Sequence, residues 1–408
     1  MKAVGDTSPR IISREIESGF YLLRVDDEKV NYFEAIWSIP ERITYNAYLL
    51  VEDGGAVLFD GWKTVYADDL IEAIRGIVSP RDLTHVIVHH VEPDHSGSLP
   101  KVLEANGFRA EVVTNPMSKP MIESFYKICP KFRLVKDCEE ISAAGEKIKL
   151  INTPWLHWPE TMMSYLTNRR ILVPCDAFGG YSIPRMILDE DDEVVREYLP
   201  SVRKYVATVI GFYRQYIIRN IEKLQSLQLD IEIIAPAHGL IWKRNPRLIL
   251  DYYRSLAEGR PDGNKILVVS GSMYGLMEKA ARIAVEEVER LGGRTAFYQF
   301  NDLEQPPFSE IIGDAIDSRA IILAAPTYEA GVYPPIDHLA YLITKKIPPK
   351  PALILGSYGW AGIVAKKLSE KLTGAGFKVV EMIEFRGSPS EEDARRIREG
   401  VRRLLESS

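Results

Sequence analysis

The chain has 408 residues, of which 46% are hydrophobic and 26% are charged, and its formal net charge at pH 7 is -6. This composition is typical of a globular protein with two or three domains, and the acidic balance argues against nucleic acid or an anionic membrane as a partner. The sequence has no apolar stretch long enough to span a membrane and no apolar leader near its beginning, so we expect a cytoplasmic protein.

The first part of the chain alternates strands with helices. Short β runs between Gly19 and Trp62 include one over residues 32–37 and a hairpin turn at residues 52–55. Periodicity then predicts helices over residues 66–78, 98–106 and 119–128 and within 194–227, and strands over residues 84–90, 110–114, 131–135, 146–154, 161–167 and 170–178. Strands bracketed by helices favour two packed sheets covered by helices over a doubly wound sheet.

The composition and the pattern of the sequence change at a polar segment rich in glycine and proline. We therefore predict an N-terminal domain over residues 1–258, a linker over 259–264 and a C-terminal domain over 265–408. Beyond the linker, a strand followed by a helix occurs five times in succession. This alternation predicts an α/β domain with an open, doubly wound parallel sheet.

Within the N-terminal domain, the stretch from Leu83 to Leu99 begins as an apolar strand and ends in His90, Glu92, Asp94 and His95. Pro93 argues against a helix, so an extended backbone would point His90, Glu92 and Asp94 to one side. Two imidazoles and two carboxylates suit a metal ion, and a solvated turn or a helix cap is the alternative interpretation.

Three more candidate metal ligands, His157, Asp176 and His238, each follow an apolar strand. Taken singly, the two histidines could equally be hydrogen-bonded core residues. Together with His90 and His95, however, they make four of the seven histidines of the chain candidate metal ligands. Cys175 adjoins Asp176, and strand alternation would point its side chain to the other face, so we expect it to be a packing residue.

The loops after the first, third and fourth strands of the C-terminal domain indicate a flavin phosphate site and ring site. Ligands of doubly wound sheets bind at the carboxyl ends of the strands. The first loop is neither a Walker loop nor G-x-G-x-x-G, but its hydroxyls and the next helix N-terminus suit a phosphate, and the other two loops offer aromatic faces. The candidate binding residues are Ser270, Ser272, Met273, Tyr274, Gly275, Leu276, Pro326, Thr327, Tyr328, Gly331, Ser357, Tyr358, Gly359 and Trp360.

On these loops, the C-terminal domain resembles a flavodoxin domain that binds FMN. The pattern H-x-E-x-D-H at residues 90–95, followed by His157, Asp176 and His238, resembles the metallo-β-lactamase-like αβ/βα fold. Hydrolases of that fold carry H-x-H-x-D-H and two zinc ions. Glu92 replaces the second imidazole by a carboxylate, which favours iron over zinc.

Together the two domains resemble the flavodiiron proteins, also called A-type flavoproteins. The resemblance implies that His90, Glu92 and His157 bind one iron, that Asp94 and His238 bind the other, and that Asp176 bridges them. His95 ligates the second iron in some relatives only. The implied cofactors are therefore FMN and two iron ions.

The same resemblance implies reduction of dioxygen to water or of nitric oxide to nitrous oxide. Electrons would pass through FMN from a separate donor such as rubredoxin, because the three cysteines, Cys129, Cys138 and Cys175, cannot form a four-cysteine iron site. A head-to-tail homodimer or tetramer would bring the FMN of one subunit to the irons of another. The alternatives are a dizinc hydrolase with an appended flavodoxin domain and an FMN-binding electron carrier that has lost its metal.

Overall fold

The structure is a computed structural model that describes residues 9–52 and 54–407. Residues 1–8, on which the expectation about a leader rests, and Asp53 of the predicted hairpin turn lie outside the described residues. The chain divides into two compact units. The first comprises the chain up to Phe33, Ile39–Val202 and Gln215–Tyr253, and the second comprises Glu34–Ser38, Arg203–Arg214 and the chain from Arg254 onward.

The N-terminal part of the chain supplies the following strands: β1 (Arg10–Glu17), β2 (Phe20–Asp27), β3 (Tyr32–Phe33), β4 (Trp37–Ser38), β5 (Ile43–Glu52), β6 (Gly55–Phe59), β7 (Leu83–Ile87), β8 (Glu111–Thr114), β9 (Phe132–Leu134), β10 (Glu139–Ala143), β11 (Glu146–Asn152), β12 (Met162–Leu166), β13 (Ile171–Val173) and β14 (Ile233–Ile234). Its α-helices are α1 (Ala67–Arg75), α2 (Pro93–Ser96), α3 (Leu99–Asn106), α4 (Ser118–Tyr126), α5 (Asp192–Tyr205), α6 (Arg214–Ser226) and α7 (Pro246–Glu258). Short 3-10 turns lie at Thr64–Tyr66, Pro80–Asp82 and Gly211–Tyr213, and a π-helical turn lies at Val206–Ile210.

Two sheets form the first unit, as the sequence predicts. One has the strand order β1-β2-β5-β6-β7-β8-β9, antiparallel up to β6 and parallel from β6 onward, and the other has the order β10-β11-β12-β13-β14. Apolar side chains of both sheets form one core, including Leu50 and Phe59 from the first sheet and Ile148 and Met162 from the second. The strands from β7 onward lead into the loops that carry the candidate metal ligands.

The structure corrects the predicted strands of this unit in three places. The run over residues 32–37 is broken into β3 and β4, because Glu34 and Ala35 have positive φ angles of 48° and 57°. The edge strands β1 and β10 are not predicted at all, since β1 is charged and mostly exposed and β10 is only five residues long and begins with two glutamates.

The C-terminal part alternates β15 (Lys265–Gly271), α8 (Leu276–Arg290), β16 (Arg294–Phe300), α9 (Phe308–Ile316), β17 (Ala320–Tyr328), β18 (Gly331–Val332), α10 (Pro334–Lys346), β19 (Pro351–Tyr358), α11 (Val364–Thr373), β20 (Lys378–Arg386) and α12 (Glu391–Glu406). The sheet order is β16-β15-β17-β19-β20, with every neighbouring pair parallel, and β18 pairs antiparallel with β17. Without the small β18, this is the 2-1-3-4-5 order of flavodoxin-like sheets. Among the described residues, none of the helices has the length and apolar character that crossing a membrane requires.

Candidate functional site

The motif at residues 90–95 adopts a helical turn, contrary to the extended backbone that Pro93 suggests. The helix α2 begins at Pro93, where the missing N–H costs nothing because the first turn of a helix has no acceptor for it. This turn separates the two carboxylates of the motif. Glu92, just before the helix, joins His90, whereas Asp94, within it, joins His95.

The first group of candidate ligands consists of His90, Glu92, His157 and Asp176. The Oε2 atom of Glu92 lies 3.2 Å from Nε2 of His90 and 2.9 Å from Nε2 of His157. The Oδ2 atom of Asp176 lies 3.6 Å and 3.8 Å from the same two nitrogens. Two imidazoles and two carboxylates thus converge on one point.

The second group consists of Asp94, His95 and His238, and Asp176 also borders it. The Oδ1 atom of Asp176 lies 3.1 Å from Nε2 of His95 and 3.2 Å from Nε2 of His238. Asp94 approaches the same nitrogens at 3.4 Å and 3.6 Å. Because the two oxygens of Asp176 face different groups, this carboxylate is placed to bridge two metal ions.

The site is almost completely removed from water. His90, Asp176 and His238 are fully buried, and Glu92, with a side chain that is 14% exposed, is the most accessible member. Both carboxylate oxygens of Asp94 are buried, and no hydrogen bond reaches either one within the part of the chain that the structure describes. A buried carboxylate that accepts no hydrogen bond is costly, so Asp94 has the chemistry of a metal ligand.

The protonation of the site follows from burial and close charge pairing. Burial opposes the charged imidazole of His90, but the carboxylates of Glu160 and Glu92 hold its pKa well above the ordinary value. Burial likewise opposes protonation of His95, yet Asp176 and Asp94 raise its pKa to about 9. Burial raises the pKa of Asp94. The carboxylates of the site therefore favour positive charge at His90 and at His95.

Residues that the sequence analysis missed fix the orientation of two of these histidines. The Nδ1 atom of His90 donates a hydrogen bond of 2.7 Å to Glu160, and Nδ1 of His238 donates one of 2.7 Å to the backbone carbonyl of Thr44. Such outer partners turn the other ring nitrogen, Nε2, toward the metal site. The only sequence signal for Glu160 is its position three residues after His157.

Two neighbouring residues need separate comment. His89, which is not a candidate ligand, is buried between Asp60 and Ser164 at 2.7 Å from each, as a structural histidine would be. The expectation that Cys175 points away from Asp176 is wrong, because β13 ends at Val173 and strand alternation no longer applies. Its sulfur, the ring of His95 and the carboxylate of Asp176 are within 4.8 Å of one another.

The C-terminal unit contains a cavity of about 350 Å³ at the carboxyl ends of its strands. Ten predicted flavin-site residues line it: Ser272, Met273, Tyr274, Leu276, Pro326, Thr327, Ser357, Tyr358, Gly359 and Trp360. Met277 and Gly387 also line it and were not predicted. Tyr274 and Trp360 are 85% and 91% exposed, so two aromatic rings stand at the mouth of this cavity.

Four predicted flavin-site residues, Ser270, Gly275, Tyr328 and Gly331, do not line the cavity. Tyr328 and Gly331 instead form a tight β17–β18 hairpin, in which they pair with each other. Ser270 lies at the end of β15, and its buried hydroxyl has no hydrogen-bond partner within residues 9–52 and 54–407. The hydroxyls of Ser272 and Thr327 are likewise buried without a hydrogen-bond partner among the described residues. Three hydroxyl donors are therefore available for an oxygen-rich ligand such as a phosphate.

Comparisons with known proteins identify families for both parts of the chain. A family model described as ODP family beta lactamase matches residues 43–239, and the flavodoxin family model matches residues 268–400. The rubredoxin-oxygen oxidoreductase of Megalodesulfovibrio gigas is 30% identical over 89% of this chain and 90% of its own length. A nitric oxide reductase of Moorella thermoacetica is 27% identical over 90% of both chains. A flavo di-iron protein of Thermotoga maritima, solved as a mutant, is 41% identical with a TM-score of 0.93, covering 98% of this chain and 99% of that one.

The chain belongs to the flavodiiron protein family. The predicted fold class, a metallo-β-lactamase-like domain followed by a flavodoxin-like domain, is confirmed. As a flavodiiron protein, this chain is an oxidoreductase that uses FMN and a diiron centre, and the hydrolase alternative is disfavoured.

The residues present fit the cofactors of a flavodiiron protein. The seven candidate ligands offer three carboxylates and four imidazoles, a set of oxygen and nitrogen donors suited to iron. The unpartnered oxygens of Asp94 and the divided carboxylate of Asp176 leave places for two cations. The cavity in the second unit combines the unpartnered hydroxyls of Ser272 and Thr327 with aromatic surfaces, which suits a flavin phosphate and its ring.

Proposed function

We propose that this flavodiiron protein reduces dioxygen to water, nitric oxide to nitrous oxide, or both. The observation that carries the proposal is the carboxylate of Asp176, whose two oxygens face two separate groups of imidazole and carboxylate ligands. A pair of metal ions held in this way supplies a site that binds a small gas molecule and transfers electrons to it. The carboxylate of Glu92, in the position that hydrolases give to histidine, supports iron over zinc.

The proposed ligand assignment follows the two groups. His90, Glu92 and His157 would hold one iron, Asp94 and His238 the other, and Asp176 both. His95 lies as close to Asp176 as His238 does, at 3.1 Å against 3.2 Å, so we include His95 in the second group. For FMN, we propose the ten predicted residues that line the cavity, together with the hydroxyl of Ser270.

Both reactions consume protons: four with four electrons for each dioxygen, and two with two electrons for each pair of nitric oxide molecules. Tyr45 is a candidate donor, because its phenol lies beside the second ligand group. Its ring lies 5.5 Å from the ring of His238, and its hydroxyl is buried with no hydrogen-bond partner within the described residues. Burial and the nearby charge of Asp94 hold the pKa of Tyr45 well above its ordinary value, so the phenol keeps its proton.

The proposed electron donor is a rubredoxin or another small redox protein, and the proposed assembly is a homodimer or tetramer in a reducing cytoplasm. Tyr274 and Trp360 support a protein contact at the flavin cavity, because large exposed aromatic residues are typical of interaction surfaces. Light scattering tests the assembly. A monomer with full turnover would contradict the proposed assembly. Separately, the three free cysteines are compatible with a reducing cytoplasm.

The decisive experiment for the function is anaerobic stopped-flow mixing of the fully reduced protein with dioxygen or with nitric oxide. Oxidation of flavin and iron should be followed together by absorbance, and the products should be measured as water or nitrous oxide. We expect rapid oxidation of both cofactors by at least one gas. Reduced protein that both gases leave unchanged would overturn the proposal.

Glu92→His tests the choice of metal. The substitution recreates the hydrolase pattern, so we expect lower iron content and lower gas reduction while FMN remains bound. Metal analysis of protein purified with iron and zinc both present measures the change. Unchanged iron content and unchanged activity would show that Glu92 does not determine the chemistry.

A further inference from the structure

Glu160 lies beside the metal centre but belongs to neither ligand group. Its side chain is fully buried, and its Oε1 atom accepts hydrogen bonds from Nδ1 of His90 at 2.7 Å and from the backbone N–H of Val91 at 3.1 Å. The backbone carbonyl of Glu160 accepts a further hydrogen bond from the side-chain amide of Asn115. Both the backbone and the carboxylate of Glu160 are therefore held in place.

The charge of Glu160 is directed at His90. The Oε2 atom of Glu160 is buried and has no hydrogen-bond partner within residues 9–52 and 54–407. In the same part of the chain, the ion pair with His90 is the only one that Glu160 forms. The imidazole of His90 thus stands between an anion on one side and the first ligand group, with Glu92 and Asp176, on the other.

At His238, in the second ligand group, the outer nitrogen has a different kind of partner. The outer nitrogen of His238 donates to the neutral backbone carbonyl of Thr44, also at 2.7 Å. A carboxylate partner makes an imidazole a stronger electron donor than a carbonyl partner does, because it draws the N–H proton away from the ring. Stronger donation stabilises the ferric state and lowers the reduction potential of the metal.

We propose that Glu160 is a positioning residue that makes the two irons unequal. Through His90, it lowers the reduction potential of the iron bound by His90, Glu92 and His157 relative to that of the iron bound by Asp94, His95 and His238. With an iron in each group, the iron held by Asp94, His95 and His238 would therefore be reduced first. This inference rests on the proposed function, since it requires an iron in each group.

The test is Glu160→Gln in the full-length protein loaded with FMN and 57Fe. Glutamine has nearly the same shape and its amide oxygen can still accept from His90, so the change removes the charge alone. Potentiometric titration followed by electron paramagnetic resonance, with Mössbauer spectra of the half-reduced sample, measures the two iron potentials. We expect the lower potential to rise, the gap between the two to narrow and the flavin potentials to stay unchanged.

Glu146→Gln is the control, because it removes the charge from another fully buried carboxylate of the same unit, which pairs with Arg169 outside both ligand groups. It should leave both iron potentials unchanged. If Glu160→Gln loses iron, Glu160→Asp, which retains the charge, should restore both the iron and the unequal potentials.

Two outcomes would overturn the inference. One is that Glu160→Gln retains two irons with unchanged potentials, and the other is that Glu160→Asp and Glu160→Gln lose iron equally. Failure of the proposed function would look different, because the unsubstituted protein would then lack iron or would fail to react with either gas.

Discussion

The metal centre and the flavin cavity are built in opposite ways. The metal centre consists of side chains buried inside a sandwich of two sheets, with His90, Asp176 and His238 fully buried. The flavin cavity consists of short loops at the end of a parallel sheet, with Tyr274 and Trp360 exposed at its mouth. The surrounding protein therefore packs against the side chains of the first site on all sides, whereas two large aromatic side chains of the second site extend into solvent.

This difference has an energetic consequence. A buried carboxylate such as Asp94 without a hydrogen-bond donor is a cost to the folded chain until a cation arrives, so metal binding should stabilise the first unit. The flavin cavity leaves only neutral hydroxyls unpartnered, which cost less. The predictions below test whether the two sites respond separately.

The largest effect is expected for Asp176→Asn. An amide cannot supply two anionic oxygens to two metal ions, so we expect iron content to fall below half and gas reduction to fall at least about 100-fold, beyond the usual effect of an outer-shell change. Metal analysis and anaerobic kinetics measure both, and the FMN content should stay unchanged. Full activity with an intact iron content would refute the bridging role.

The second prediction concerns the flavin cavity, where a substitution should weaken FMN binding and leave the iron in place. Trp360→Ala removes an exposed ring from its mouth, and we expect FMN to bind about 5- to 10-fold more weakly, the range for loss of one aromatic contact. Fluorescence titration of the FMN-free protein measures the affinity. Iron content should not change. Leu303→Ala is the control, since Leu303 is 95% exposed and does not line the cavity. Equal losses in both variants would argue against a ring contact.

A smaller effect is expected at Tyr45, which contacts the metal centre without belonging to either ligand group. Tyr45→Phe removes the buried hydroxyl but retains the ring against His238, so iron should remain and turnover should fall about 3- to 5-fold, because water replaces part of the proton supply. Steady-state rates in H2O and D2O measure the proton step. Tyr165→Phe is the control, since that hydroxyl donates to the carbonyl of Asp230. An unaltered rate and isotope effect would remove Tyr45 from the mechanism.

The two sites also differ in how far the sequence predicts them. All seven candidate metal ligands meet in the structure, because each follows an apolar strand and the strand ends converge. The local conformation at Pro93 is predicted wrongly, since a proline that cannot continue a helix can still begin one. Glu160 and Thr44 are missed because their partners are distant in sequence: 194 residues separate Thr44 from His238.

At the flavin cavity, the errors are of another kind. All three predicted loops contribute side chains to the cavity, but membership of a loop does not decide which side chains line it. Tyr328 and Gly331 are turned into a β hairpin, and Met277 and Gly387 are recruited from a helix and from beyond β20. The periodicity of the sequence predicts the helices and strands, but the way in which they pack decides which side chains line the cavity.

The smallest expected effect concerns a buried carboxylate of the second unit whose charge is balanced by arginines of the same unit. Glu287 is 3% exposed and binds Arg290 on its own helix, α8, and Arg402 on α12. Hydrogen bonds from Arg290 outweigh burial and lower the pKa of Glu287 to about 2. Because the pKa in the folded state is below that in the unfolded state, the stabilisation is present above about pH 4.5 and is lost as the pH falls toward 2.

Glu287→Gln should therefore lower the stability of the second unit by about 1 kcal/mol at pH 7, since both arginines are at least half exposed and solvent screens the pairs. It should also flatten the loss of stability below pH 4.5. Urea unfolding followed by FMN fluorescence measures both. Glu392→Gln, which breaks a surface pair with Arg395 on α12, should do neither. If the two variants behave alike, burial adds nothing to the ion pairs of Glu287.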